Sequence, residues 1–223
     1  MESTTEEKFT MWCKNCNDPT MKQQGNYEFF VECKCEREAK LKAKIQKLKN
    51  LSLLGKRYEN VTFENSKTGL NTEFDKAFNR SKKFCENHKE IIQSGSGMYI
   101  FGDIGTGKTH LTACIANELL KNCVYLLFTS LFEISKAVRS TFNKNAEKTE
   151  QDLIKQFSSV DVLFFDDLGT EKLTKNQDDT WLQCLLFDLI NHRYNARKTT
   201  IFSSNYSIQR TCYKTGFSKA YSE

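Results

Sequence analysis

The chain has 223 residues, of which 39% are hydrophobic and 27% charged, with a formal net charge of +5. That length can bury the core of one α/β domain plus a small appendage, and the charge permits an acidic partner without requiring one. No apolar run approaches the roughly twenty residues of a membrane span, and the acidic, polar start from Met1 to Lys8 is unlike a secretory signal.

Nine cysteines is an odd number, and Cys114, Cys123 and Cys184 fall inside expected core elements. Such usage points to a reducing, cytoplasmic setting rather than a disulfide framework. One proline and ten glycines leave no flexible or polyproline linker, and no internal repeat is present.

In chain order, a polar tail leads to Cys13-Lys14-Asn15-Cys16 and, after an insert of hairpin length, to Cys33-Lys34-Cys35. Two close thiol pairs on a hairpin suit one tetrahedral Zn²⁺, although the single-residue gap between Cys33 and Cys35 is tighter than usual. The alternative is four ordinary reduced thiols. Tyr27, Phe29 and Val31 alternate as a strand would. A basic helix follows from Glu36 to about Asn50, with Leu41, Ile45 and Leu48 as a narrow apolar stripe among lysines. Its readings are a surface for nucleic-acid phosphates, a solvated helix or a partner-docking helix; partner docking suits it slightly better than direct DNA contact, and with no aromatic among the lysines base stacking is not indicated. Gly55 punctuates the chain, giving residues 1–54 as a zinc-binding region with a basic helix and residues 55–223 as a second domain.

Arg57 to Phe63 begins that domain, and Phe74, Ala77, Phe78 and Phe84 predict an amphipathic helix. Met98 to Phe101 reads as a buried strand. It runs into Gly102-Asp103-Ile104-Gly105-Thr106-Gly107-Lys108-Thr109, which fits the phosphate-loop pattern G-x-x-x-x-G-K-[ST]. The glycines let backbone N–H groups converge on an oxyanion at the positive end of the next helix. Lys108 supplies a point charge for β- and γ-phosphates, and the Thr109 hydroxyl can ligate a bridging Mg²⁺. His110 follows directly in the loop helix, so it closes the nucleotide-binding run by position, but neither it nor His88 or His192 carries a motif.

Val124 to Phe128 reads as a second buried strand, with Ser130 capping a helix whose periodic face is Leu131, Ile134 and Val138. Asn143 to Gln151 is polar and expected to be exposed. Val162-Leu163-Phe164-Phe165-Asp166-Asp167 then places two carboxylates at the C-terminal end of a buried strand, where open α/β sheets bind ligands. Asp166 fits the role of holding Mg²⁺, and Asp167 that of orienting or deprotonating an attacking water. Leu182, Leu185, Leu186, Leu189 and Ile190 have the spacing of a helix packed on a sheet. Thr199 to Ser203 is a fourth strand ending at Ser204-Asn205. The Asn205 amide there suits either a γ-phosphate or water contact, or a simple turn.

The segments GDIGTGKTHL, VLFFDDLGTEK and TTIFSSNYS together resemble the bacterial helicase-loader ATPases of the DnaC/DnaI group of AAA+ proteins, over about Arg57 to Ser207. IstB-like transposition helpers are the nearest alternative. The resemblance implies a three-layer αβα P-loop NTPase fold of AAA+ type, with ATP and Mg²⁺ on Lys108 and Thr109. It makes Asp166 the metal residue, Asp167 the catalytic acid/base and Asn205 sensor 1. It also implies a replicative DNA helicase and single-stranded DNA as partners, with possible homo-oligomerisation on ATP and DNA. In the family the chain runs on to an arginine finger, a fifth strand and a sensor-2 arginine. Here it reaches Gly216-Phe217-Ser218-Lys219 and Glu223, with no arginine after Arg210. The expectation is therefore ATP binding with weak hydrolysis by the chain alone, or a non-catalytic helicase- or DNA-binding module. No N-K-x-D segment follows Asp167, which disfavours a guanine-specific site, and no arginine-rich lid suggests a small-molecule kinase.

Overall fold

The computed structural model describes residues 8–24, 27–69, 72–141, 149–169 and 177–215. The chain divides into two compact units, Met1–Lys47 and Leu48–Glu223. The first holds an antiparallel sheet of β1 (Lys8–Trp12), β2 (Pro19–Gln24) and β3 (Tyr27–Phe30), in that order. Phe9 pairs with Lys22, which pairs with Phe29, while Met21 pairs with Phe30. The polar tail expected before Cys13 is a strand from Lys8 onward, because Phe9 and Met11 alternate with polar neighbours and fit a pleated edge. Helix α1 (Lys34–Leu51) follows, longer than expected at its start. The Asp18 carboxylate accepts from Lys34 N–H at 2.8 Å, satisfying a donor that a helix start leaves open. Along α1, Lys40 bridges to Glu36 at 3.2 Å. The expected stripe is only loosely covered: Leu41 is 48% exposed.

The second unit carries a parallel sheet of β4 (Met98–Phe101), β5 (Leu126–Ser130), β6 (Val162–Asp166) and β7 (Thr199–Ser204), in the order β4-β7-β6-β5. Its helices are α2 (Thr72–Glu86), α3 (His88–Ser94), α4 (Lys108–Lys121), α5 (Leu131–Ser140), α6 (Glu150–Ser159), α7 (Gln177–Asn195) and α8 (Ile208–Thr215). Strand alternation separates two cores. Val162 and Phe164 join Ile100, Ile201 and the buried face of α4 on one side. Leu163 and Phe165 join α5, α6 and the leucines of α7 on the other. Phe128 stacks on Phe164 at 5.4 Å in the first core, and Phe165 on Phe202 at 5.7 Å in the second. Helices on both faces of a parallel sheet make the expected three-layer αβα fold. Among the described residues, β4 pairs on one side only, with β7.

The second strand begins at Leu126, later than the expected Val124. Cys123 takes a left-handed conformation (φ 58°), and Val124 N–H bonds to Leu119 O at 3.1 Å. That Schellman closure of α4 draws Val124 out of the sheet. The Ser130 cap forms as expected, its hydroxyl accepting from Glu133 N–H. Of the polar stretch from Asn143 to Gln151, residues 143–148 lie outside the described residues, and Glu150 onward is α6, begun by a Thr149–Asp152 capping box.

Arg193 on α7 is fully buried. Its guanidinium donates to the carbonyls of Phe157, Ser158, Val160 and Thr199, and to the Thr200 hydroxyl, joining the end of α6 to the start of β7. Burial lowers its pKa only to about 10, so it is a cation at neutral pH. Arg193→Met leaves several buried carbonyls without donors and is expected to destabilise the second unit by about 3 kcal/mol or more, read as a lowered denaturant midpoint.

Candidate nucleotide site

Three strands deliver the site to one rim of the sheet. The loop after β4 is the phosphate loop, Asp166 ends β6, and Asn205 follows β7. The chain crosses from β4 to β5 at the other end of this order and returns through β6 to β7 beside β4, so the C-terminal ends of β4, β7 and β6 lie side by side, on the edge where ligands bind in such sheets.

The loop itself is held by short bonds. Gly102 N–H donates to Ser204 O at 3.2 Å, and Thr106 donates from both N–H and hydroxyl to Asp103 O. Gly107 caps α4 at φ 90°, and a Cβ there would meet the Phe74 ring at 3.0 Å, so both conformation and space demand glycine. Lys108 is largely buried, and its Nζ donates across the loop to Asp103 O at 3.0 Å. Ile104 stands at the rim, 87% exposed.

Opposite the loop, Thr109 Oγ1 donates to the Asp166 carboxylate at 3.1 Å. Ser203 Oγ donates to the same carboxylate at 2.5 Å and accepts Asp167 N–H at 3.0 Å. Burial, and then the neighbouring Asp167 charge, push the Asp166 carboxyl above its usual range, against the pull of the two hydroxyls and Lys108. A hydroxyl and a desolvated carboxylate meeting beside a buried ammonium form an oxygen donor set suited to Mg²⁺. Asp167 adopts φ 54°, which turns it away from the strand and onto the cavity.

The cavity, about 610 Å³, is lined by Ile104, Gly105, Gly107, Lys108, Thr109, His110, Asp167 and Asn205. Gly102, Asp103 and Thr106 frame the loop from outside that lining, and Asp166 lies behind Thr109. Three further lining residues escaped the sequence reading: Arg57, Tyr58 and Val61. Their signal was faint, an aromatic and a cation at the start of the domain. In the sequence Ser203 is no more than the end of a strand, yet it touches both acids.

In the first unit, the Sγ atoms of Cys13, Cys16, Cys33 and Cys35 lie within 4.8 Å of one another. Tetrahedral zinc with Zn–S bonds of about 2.3 Å separates sulfurs by about 3.8 Å, so the set fits Zn²⁺. The Cys13–Asn17 knuckle closes with Asn17 N–H on Cys13 O and Cys13 N–H on Asp18 O. Backbone N–H groups of Asn15 and Cys16 lower the Cys13 thiol to about 6, favouring its thiolate, while the Cys35 thiol, hydrogen-bonded to Cys33, is pushed well up.

Residues 7–214 match the model of the family described as IstB-like ATP binding protein. The chain belongs to the IstB-like ATP-binding protein family. Within its wider relationships, the replicative helicase loader DnaC of Escherichia coli (strain K12) is 27% identical over 167 residues, 74% of this chain and 64% of DnaC. The phage-like element PBSX protein XkdC of Bacillus subtilis (strain 168) is 26% identical over 205 residues, 88% of this chain and 73% of XkdC. A crystal structure of the DnaC helicase loader matches with a TM-score of 0.61 at 25% identity, over 73% of this chain and 90% of that one. The resemblance to DnaC-type loaders read from the motifs is borne out in both sequence and structure. This IstB-like chain spans less than two thirds of the length of the DnaC relatives it matches. Among its described residues, no helix is long and apolar enough to cross a membrane.

Two outcomes are expected. Because the fold disfavours ionised Asp166, its raised pKa contributes stability that is complete below the ordinary carboxylate range and lost as pH rises through the raised value. In chelator, Asp166→Asn should therefore melt above wild type at neutral pH, with the gap closing by about pH 4. For the thiols, purified protein should carry about one zinc per chain by elemental analysis, and Cys33→Ser should lose it with increased amide exchange in β1–β3.

Proposed function

We propose that this chain is an ATP-dependent loader that engages a replicative DNA helicase and single-stranded DNA. The observation that carries the reading is the convergence of Lys108, Thr109, Asp167 and Asn205 on one cavity, with Asp166 directly behind, in a chain similar to DnaC. Lys108 and the loop amides hold the triphosphate. Mg²⁺ held by Thr109 and Asp166 would neutralise charge on the β- and γ-oxygens. Asp167, fixed through its N–H by Ser203, orients a water and accepts its proton. Asn205, just after β7, senses the γ-phosphate. The cysteine knuckle holds structural Zn²⁺, and its unit is the helicase-facing part.

The single chain is expected to bind ATP and turn it over slowly. Lys108→Ala should abolish ATP binding. Asp167→Asn should retain binding and lower turnover by about 10² or more, measured with labelled ATP with and without single-stranded DNA. A replicative helicase should be retained on the immobilised wild-type protein in an ATP-dependent manner. ATP binding without helicase capture would remove the loader role and leave the nucleotide site standing.

A further inference from the structure

One polar side chain in the core takes no part in the chemistry above. Asn117 lies on the buried face of α4, further along the helix that begins with Lys108, and is 3% exposed. An apolar residue is the usual occupant of such a position. The amide of Asn117 instead donates both N–H groups, to Tyr58 O at 2.7 Å and Val61 O at 2.8 Å. Its own oxygen is buried with no partner. An unsatisfied buried acceptor is unfavourable, so the two donated bonds are what the side chain offers in return.

Tyr58 and Val61 form one wall of the nucleotide cavity, with Arg57 beside them, its guanidinium 5.8 Å from the Tyr58 ring. The same segment is pinned to α4 a second time. His110 Nε2 and Ser66 Oγ are 2.7 Å apart, and Ser66 donates its hydroxyl hydrogen to Thr62 O at 2.6 Å. That hydrogen being committed, Nε2 is the protonated ring nitrogen and donates to Ser66. Between the pins the segment closes on itself: Thr62 N–H bonds to Asn65 Oδ1, Asn65 N–H to Thr62 Oγ1, and Asn65 Nδ2 to Asn60 O. One helix thus grips the phosphates with its first turn and the facing wall with Asn117.

We propose that Asn117 is a positioning residue for the nucleobase. It sets the Arg57–Val61 wall at a fixed distance from the phosphate loop, so that base and triphosphate are measured against a single rigid helix. It acts through Tyr58 and Val61 and does not itself touch the nucleotide. This rests on the ATP site proposed above. The consequence is selective: Asn117 supports binding of the nucleoside part and is indifferent to the phosphates alone.

The test is calorimetric binding of ATP and of inorganic tripolyphosphate, each with Mg²⁺, to the full chain. Wild type binds both. Asn117→Leu, which keeps the branched shape and removes the donors, is expected to lose about tenfold or more in ATP affinity while holding tripolyphosphate within about twofold. Unchanged ATP affinity overturns the positioning role. Equal loss of both ligands makes Asn117 a residue of general stability and overturns it too. Ser66→Ala cuts the second pin at a half-buried position, and it decides the matter if Asn117→Leu does not fold. It should show the same split in smaller degree, and no split sinks the proposal. If wild type binds neither ligand, it is the nucleotide site itself that fails.

Discussion

Asp166 is held where its charge is poorly solvated. Two hydroxyls, from Thr109 and Ser203, donate to it, and a second acid adjoins it. A carboxylate so placed favours either a proton or a cation, and only the cation keeps it useful next to a triphosphate. The sheet order follows from the same need. β7 must lie between β4 and β6 for Ser203 to reach Asp166 and Asp167 while Ser204 O receives the Gly102 N–H. The parallel register that pairs Phe164 with Ile201, and Ile100 with Ser203, brings these groups to one rim.

Much of this is legible in the residues. Hydrophobic runs such as Val162–Phe165 and periodic leucines such as Leu182–Leu189 report burial directly, and they are strand and helix in the fold. The phosphate loop is legible because its glycines are required by backbone geometry, as at Gly107 against Phe74. Other features depend on tertiary partners that no local pattern encodes. Ser203 looks like a strand residue until two acids are found beside it. Tyr58 and Val61 become cavity wall only when Asn117 folds them onto α4. A lone Asn on an apolar helical face was the available clue. The Val124 shift arose from a left-handed cysteine in a place where glycine is the usual signal. Strand β1 was hidden by its brevity and by polar neighbours.

The two units use different means of ordering. The second has apolar cores on both faces of its sheet. Among the described residues, the first leaves Phe9, Met11, Trp12, Tyr27, Phe29 and Phe30 exposed, with little buried apolar surface beyond Cys33. A sheet of three short strands is marginal without a further constraint, and the four clustered thiols are where one can be supplied.

Arg193 gives the sheet a property of its own. It ties the lead into β6 to the first residues of β7 at the rim away from the nucleotide cavity, and Lys198 reinforces the same corner with Asp161 at 2.9 Å. At the other rim the same two strands meet through Ser203 and Asp166. Strands stapled at both ends cannot slide past each other. Any rearrangement at the cavity rim is therefore expressed as a swing of the loops beyond the strand tips, leaving the sheet as a fixed anvil.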